Sequence, residues 1–422
     1  MKNIENYINK MMPAMNKISE NKYLQAISRS MMATLSITII GSISVLLIVF
    51  PIEAVTIFLN NFGLIEPLAA VNQFTLGSIA IYISFLVAKN LVQLFNQHDD
   101  GSRAGVASLL SFLIVTPLAN TDGINYLAFD WLGSSGIFTA IITGLLVGRF
   151  FVFAEDKGLT IKMPETVPPM VRKNFEVLVP GFLIAILFII VRTLFSLTNY
   201  ESVHNAIYTV VQAPLQGLGG NIWSIVILAT IGQIFWFFGL HGTNLTVPII
   251  QPILMALDLE NLEAATAGLP LPNSVGYAFF VTYTLCATSI GFGFMMLFAK
   301  SERYKALGKV VFPPAIFGIS EPLVFGTPLV LNFKFAFPFI FTNGIVLLIA
   351  YMLQQIGILP PIMGASPVFG LPLGFHAAIQ GSWRIIVMQI MAQVIGAGIY
   401  YPFLKKADQE AFLEEQNAAT AD

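Results

Sequence analysis

The sequence predicts an all-α polytopic membrane protein, and three observations lead there. Of 422 residues, 56% are hydrophobic and 10% charged, whereas soluble domains carry about 25% charged residues. Apolar runs near the roughly 20 residues that a helix needs to cross hydrocarbon recur at 29–50, 74–95, 104–120, 136–154, 177–198, 222–240, 276–299, 335–358 and 385–404. Lysine and arginine, which gather on the cytoplasmic side of membrane proteins, fall in alternate connections between those runs.

Residues 1–28 lack the continuous apolar core of a secretory signal peptide. Ile4, Ile8, Met11, Met12, Met15 and Ile18 lie among lysines, as in an amphipathic helix resting on a membrane surface. Residues 29–198 then hold five spans. Lys2, Lys10, Lys17, Lys22 and Arg29 precede the first span, Lys89 and Arg103 flank the connection after the second, and Arg149, Lys157, Lys162, Arg172 and Lys173 follow the fourth. Those segments are expected on the inside. The connections 51–73, 118–135, 199–221 and 258–275 carry only acidic charges, Glu53, Glu66, Asp122, Asp130, Glu201, Asp258, Glu260 and Glu263, and are expected outside.

Alternation ceases to be simple in residues 199–404. With 199–221 and 258–275 both outside, residues 222–257 must leave and return to the same face, as a helix followed by a short return segment would. Lys300, Arg303, Lys305 and Lys309 mark the inside again, as do Lys405 and Lys406 in the tail 405–422. Between them, 311–331 holds Pro313, Pro314, Pro322 and Pro328, so it reads as a segment that enters the bilayer and exits on the same side, with Lys334 just after it. Both chain ends are then cytoplasmic.

Each anomalous segment, near 241–257 and 311–331, carries an ionisable residue: His241 in FWFFGLHGTNL and Glu321 in FGISEPLVFG. Interrupted backbone at membrane depth is tolerated only inside protein or along a wet cavity, and broken segments in transporters commonly form the substrate site. Glu321 is the only one of the 23 acidic residues inside an expected membrane segment, which marks it as functional. The competing readings are a structural carboxylate bonded to N–H groups freed at the proline break, or paired with His241 or Arg384, and a histidine that caps a helix end. Asn244, three residues after His241, and Gln233, two turns before it, would reach the same cavity. Trp383 would stack on the apolar face of a sugar or mark a membrane interface. His98, Asp99 and Asp100 resemble a metal cluster on paper but fit a solvated turn in a cytoplasmic connection, so no metal site is expected. Arg192 lies near its helix end and is expected to snorkel outward.

No phosphate-binding loop, dinucleotide fingerprint, zinc helix or nucleophile elbow occurs in the sequence. Net charge is −2 with the basic residues scattered, which argues against a nucleic-acid partner. The single cysteine, Cys286, sits in an apolar run and permits neither an internal disulfide nor a thiolate cluster. Driving energy must therefore come from another chain or an ion gradient, and no cofactor is expected.

FFGLHG around His241, ISEPLVFG around Glu321 and IKMPETVPPMVRKNFEVLVPGF at 161–182 together resemble the lactose/cellobiose/chitobiose family of phosphotransferase-system (PTS) permeases, the membrane component enzyme IIC (EIIC). The resemblance runs to YYPFLKK near the C-terminus. It implies ten membrane helices, an N-terminal half (29–198) forming a homodimer interface, and a C-terminal half (199–404) with two re-entrant hairpins around the sugar. It also implies import of a β-linked disaccharide, cellobiose or N,N'-diacetylchitobiose rather than lactose, through the lipid of the bacterial inner membrane. A separate EIIB subunit, charged through EIIA and HPr, would phosphorylate the sugar 6-hydroxyl from its phosphocysteine. By motif position, Glu321 would hydrogen-bond that hydroxyl and accept its proton, and His241 would bind the same end of the sugar. The alternative is a proton-coupled secondary sugar transporter, because a membrane carboxylate suits a proton site equally well.

Overall fold

The computed structural model describes residues 20–48, 53–97, 99–161, 164, 166–167, 175–239, 242–284, 290–327, 329–366 and 371–419. The chain forms two compact units, one of Met1–Ser44, Phe62–Gly217 and Val247–Leu259, the other of Val45–Asn61, Leu218–Thr246 and Glu260–Asp422. Most of the expected surface helix 1–28 falls outside the described residues, as do His98, Leu240, His241, Cys286 and Pro328.

In the first unit, helices Ile79–Phe95, Ser102–Val115 and Ile137–Asp156 pack on one another. Small residues set the spacing. A Cβ at Gly144 would lie 2.7 Å from the Val87 side chain, and one at Gly148 would lie 3.1 Å from the Ala88 carbonyl oxygen, so this pair one turn apart lets two backbones approach closely. The buried Ser84 and Ser108 hydroxyls meet at 3.0 Å between neighbouring helices. Helix Leu178–Ser196 joins through Ile184 and Phe188, which pack with Val115, Val147 and Val203. Arg192 departs from expectation. Its Nη1 donates to the Ile114 carbonyl at 2.6 Å and so satisfies an end carbonyl of the Ser102–Val115 helix.

Among the described residues the all-α expectation has one exception, a two-stranded antiparallel hairpin of Leu118–Thr121 and Ile124–Leu127 in register Leu118↔Leu127. Asp122 and Gly123 form its turn with φ of 52° and 79°, the positive pair that a two-residue hairpin loop demands.

In the second unit, helix Ile222–Phe237 lies against Ala336–Gln355, and Ile290–Met296 packs on both Glu302–Ile316 and Trp383–Ala419. Phe292 stacks on Tyr400 with centroids 4.4 Å apart, in a core shared by Trp236, Phe237, Leu323, Val324, Leu329 and Phe335.

Among the described residues, five helical segments are long and apolar enough to cross a membrane: Ile65–Phe95, Ser134–Asp156, Leu178–Ser196, Ala336–Gln355 and Trp383–Ala418. Two bent pairs, Lys22–Ala33 with Leu35–Ile48 and Val203–Gly219 with Ile222–Phe237, raise the number to seven if each is one span. The nine runs read from the sequence exceed this for local reasons. The run 104–120 yields a helix of only 14 residues, Ser102–Val115, and 276–299 yields Tyr277–Thr284 and Ile290–Met296, with residues outside the described set between them. After the His241 position comes the 25-residue helix Gly242–Thr266, which runs through Pro248 and Pro252.

Candidate functional site

The chain breaks on both sides of the His241 position for identifiable reasons. Helix Ile222–Phe237 starts at Asn221, whose side chain accepts from the Trp223 N–H at 2.9 Å. It ends where Gly239 takes φ +81°, a conformation open to glycine and strained for most residues. The chain resumes as a helix at Gly242. There a Cβ would fall 1.9 Å from the Gly232 carbonyl oxygen, so the start of the second helix touches the backbone of the first more than a turn before its end. Trp236 Nε1 donates to Thr243 Oγ1 across the break at 3.3 Å. The described residues on either side of His241 are thus held together. Asn244 lies in the first turn of the second helix. Gln233, half-buried, makes no side-chain hydrogen bond among the described residues.

The Glu321 segment is broken in a similar way. Helix Glu302–Ile316 tolerates Pro313 and Pro314 near its end and stops at Phe317. Gly318, at φ +76°, turns the chain, with its N–H on the Ala315 carbonyl at 2.9 Å. Glu321 then opens the six-residue helix Glu321–Gly326, with Pro322 after it at a position where a missing N–H does no harm. Its side chain is half-buried.

These two breaks meet. The Leu331 N–H donates to the Phe237 carbonyl at 2.9 Å. Trp236 and Phe325 rings lie 6.2 Å apart and Phe237 and Phe333 rings 5.4 Å apart. A Cβ on Gly239 would come within 3.2 Å of Val330. The residues just before His241 therefore pack on those that follow Glu321. Trp383 is elsewhere: the first residue of helix Trp383–Ala419, it is 69% exposed beside an apolar groove.

Asp99 and Asp100 sit in the turn that leads into helix Ser102–Val115. Their carboxylates accept from the N–H groups of Gly101 (2.8 Å) and Ser102 (3.0 Å), and Asp99 also pairs with Arg103 at 3.1 Å. The bond from the Ser102 N–H, foremost, holds the Asp100 carboxyl below its ordinary range. No group of metal-binding side chains occurs among the described residues.

Sequence reasoning missed a third irregular stretch. Residues 359–366 are non-helical yet largely buried, and side-chain amides satisfy them: Gln380 accepts from the N–H groups of Gly364 and Ala365 and donates to the Ala365 carbonyl, and Asn261 donates to the Ile362 carbonyl. The Leu373 N–H reaches the Ile316 carbonyl at 2.9 Å, tying this region to the start of the Glu321 turn. Close by in sequence, His376 is 1% exposed with neither ring nitrogen bonded among the described residues. Gln389 links Gly374 to Thr282, and Thr282 Oγ1 and Gln393 Oε1 are likewise buried without partners among the described residues. Buried groups of this kind suit a hydroxyl-bearing ligand or water. His376 falls between the expected spans 335–358 and 385–404, so no signal in the sequence set it apart.

The family profile "Phosphotransferase system, EIIC" matches residues 28–343. The chain belongs to the PTS EIIC family. It is 32% identical to the PTS system galactose-specific EIIC component of Lactococcus lactis subsp. cremoris (strain MG1363), over 99% of this chain and 98% of that one. It is 31% identical to the PTS system oligo-beta-mannoside-specific EIIC component of Bacillus subtilis (strain 168), over 97% and 95%. The crystal structure of ChbC, the IIC component from an N,N'-diacetylchitobiose-specific phosphotransferase system, superposes with a TM-score of 0.88 at 28% identity, covering 96% of this chain and 98% of that one. This EIIC chain is accordingly a multi-pass sugar permease of the bacterial cell membrane. It is the membrane subunit of a sugar phosphotransferase, working with other PTS components rather than as a catalyst by itself.

Proposed function

We propose that this EIIC permease imports a β-linked disaccharide, cellobiose or N,N'-diacetylchitobiose in preference to lactose, and grips it between the two interrupted segments of its C-terminal half. In this reading ten helices cross the inner membrane, the hairpins near 241–257 and 311–331 are re-entrant, both termini are cytoplasmic, and residues 29–198 form a homodimer. His241, Asn244 and Gln233 hydrogen-bond the sugar from one segment and Glu321 from the other.

The chemistry needs these residue types. A sugar hydroxyl attacks phosphorus best when an acceptor is aligned with its proton, and help of this kind contributes about 100-fold to 10,000-fold. Glu321 supplies that acceptor at the 6-hydroxyl. In the transfer, the S–P bond of the EIIB phosphocysteine breaks, an O–P bond to the sugar forms, and the hydroxyl proton passes to Glu321. Positioning and electrostatics do most of the rest. A sugar that lacks one hydroxyl leaves a buried polar partner unpaired, which costs about 1–3 kcal/mol and gives selectivity.

The observation that carries this reading is the Leu331–Phe237 backbone bond, which brings the flanks of both breaks together. Vesicles holding the chain test it when given radiolabelled cellobiose, diacetylchitobiose or lactose with phosphorylated EIIB. Internal 6-phosphate of a β-disaccharide is the expected product. Unmodified sugar whose accumulation vanishes when the proton gradient is collapsed would overturn the reading in favour of proton-coupled transport.

A further inference from the structure

The second unit carries an open groove of about 510 Å³ between the end of helix Ala336–Gln355 and the start of Trp383–Ala419. Leu353, Ile358, Val387, Met388 and Met391 line it with hydrocarbon and thioether atoms, and Trp383 and Arg384 complete it. Residues 383–384, 387–388 and 391 are successive turns of one helix face, so the tryptophan and the arginine stand at one end of an apolar strip. Trp383, Val387 and Met391 are 69%, 47% and 45% exposed.

Arg384 is also exposed. Its Nη1 makes a long bond to the Ile358 carbonyl at 3.5 Å, and it pairs with no carboxylate among the described residues. On a chain that crosses a membrane, exposed apolar side chains face acyl chains rather than water. A groove with a guanidinium at its end suits a narrower class of occupant: one long hydrocarbon chain that ends in a negative group. Arginine binds phosphate through two parallel N–H donors, and tryptophan favours the level of the headgroups.

We propose that this groove binds one anionic glycerophospholipid, an acyl chain lying along Val387 and Met391 and the phosphate on Arg384. Net charge decides the class of lipid. A zwitterionic headgroup brings a cation beside its phosphate and repels the guanidinium, whereas a phosphatidylglycerol headgroup does not. Trp383 then serves as an interface residue, whatever sugar the permease carries.

The test is native mass spectrometry of the detergent-purified chain, equilibrated with dioleoylphosphatidylglycerol or dioleoylphosphatidylcholine. One basic residue near a membrane surface contributes about 1 kcal/mol toward anionic lipid, so retention of the glycerol lipid should exceed that of the choline lipid about fivefold. Arg384→Gln should bring that ratio to one, and Val387→Trp, which fills the groove, should lower retention of both lipids. Equal retention in the parent chain, or an unchanged ratio in Arg384→Gln, overturns the proposal. Should Arg384→Gln fail to fold, Val387→Trp decides alone. If it leaves lipid retention intact while light scattering shows a dimer becoming a monomer, the groove is a contact between two copies and the proposal falls.

Discussion

Leu331 holds a left-handed backbone conformation, φ +54°, and donates its N–H to the carbonyl of Phe237 at 2.9 Å. Left-handed backbone costs a branched residue about 1–2 kcal/mol, and such strain persists where the surrounding structure imposes it, often at functional sites. Here the bond ties the chain leaving the Glu321 helix to the end of helix Ile222–Phe237, just before His241.

Two substitutions at this position separate conformation from bonding. Leu331→Gly keeps the N–H and removes the steric penalty, and the relief offsets a loss of about 0.5–1 kcal/mol from glycine's greater freedom when unfolded. Stability and sugar binding should both stay near those of the parent. Leu331→Pro removes the donor and forbids positive φ, so binding of radiolabelled disaccharide should fall at least about tenfold, the effect of 1.4 kcal/mol. Equal binding by the two variants would detach this bond from the site.

Glu321→Gln preserves shape and hydrogen-bonding capacity but removes the basic oxygen. The variant should lose about 100-fold or more in the rate of sugar phosphorylation by phosphorylated EIIB while still binding sugar. Rapid-quench measurement of sugar phosphate, beside equilibrium binding, reads both quantities. Full activity in the variant would remove Glu321 from the proton-accepting role.

Gly242→Ala tests the close approach of the second helix's start to the backbone of the first. Its new methyl would sit 1.9 Å from the Gly232 carbonyl oxygen, and backbone cannot rotate away as a side chain does. Overpacking of this sort costs about 1–3 kcal/mol, more than the 0.8–1.0 kcal/mol or so that alanine gains over glycine inside a helix. The thermal midpoint in detergent should fall. Gly217→Ala, with open space around its Cβ position, is the control and should leave the midpoint unchanged or raise it.

Legibility of the fold divides along physical lines. Glu321 stood out because a charge among apolar residues is expensive in lipid, and composition alone registers that. The break at His241 was readable from the GLHG run, but not the 25-residue helix beyond it, because Pro248 and Pro252 look like breakers until neighbouring structure satisfies the freed carbonyls. The hairpin at Asp122–Gly123 was missed although Asp-Gly is a strong turn signal; its strands are short and exposed, so hydropathy carries no trace of them. Residues 359–366 escaped for another reason: Gln380 and Asn261 satisfy their backbone from distant positions, and such pairing leaves no local pattern.

The far end of helix Trp383–Ala419 gives a prediction in pH. Its 37 residues at about 1.5 Å each run well beyond the roughly 30 Å of hydrocarbon, so the part after Lys405 and Lys406 projects past the membrane. There Asp408 accepts from the N–H groups of Lys300 (2.7 Å) and Ser301 (2.9 Å) and from the Ser301 hydroxyl (2.7 Å), while Glu415 accepts from Glu302 and Arg303, both at 3.0 Å. Two carboxylates two turns apart thus cap the start of helix Glu302–Ile316. Burial alone would raise the Asp408 carboxyl, but these donors, with Lys300 nearby, outweigh it and hold the group below its ordinary 3.8. A depressed folded-state value means that the ionised form stabilises the fold above the unfolded value and that this share is lost as pH falls through the folded one. Asp408→Asn should therefore lower stability by about 1 kcal/mol, the worth of a helix cap, at neutral pH. That gap between parent and variant should hold down to about pH 5 and close as the solution is acidified below the ordinary carboxylate value. Thermal midpoints of both proteins across this range check it, and a gap that widens on acidification would contradict the capping role.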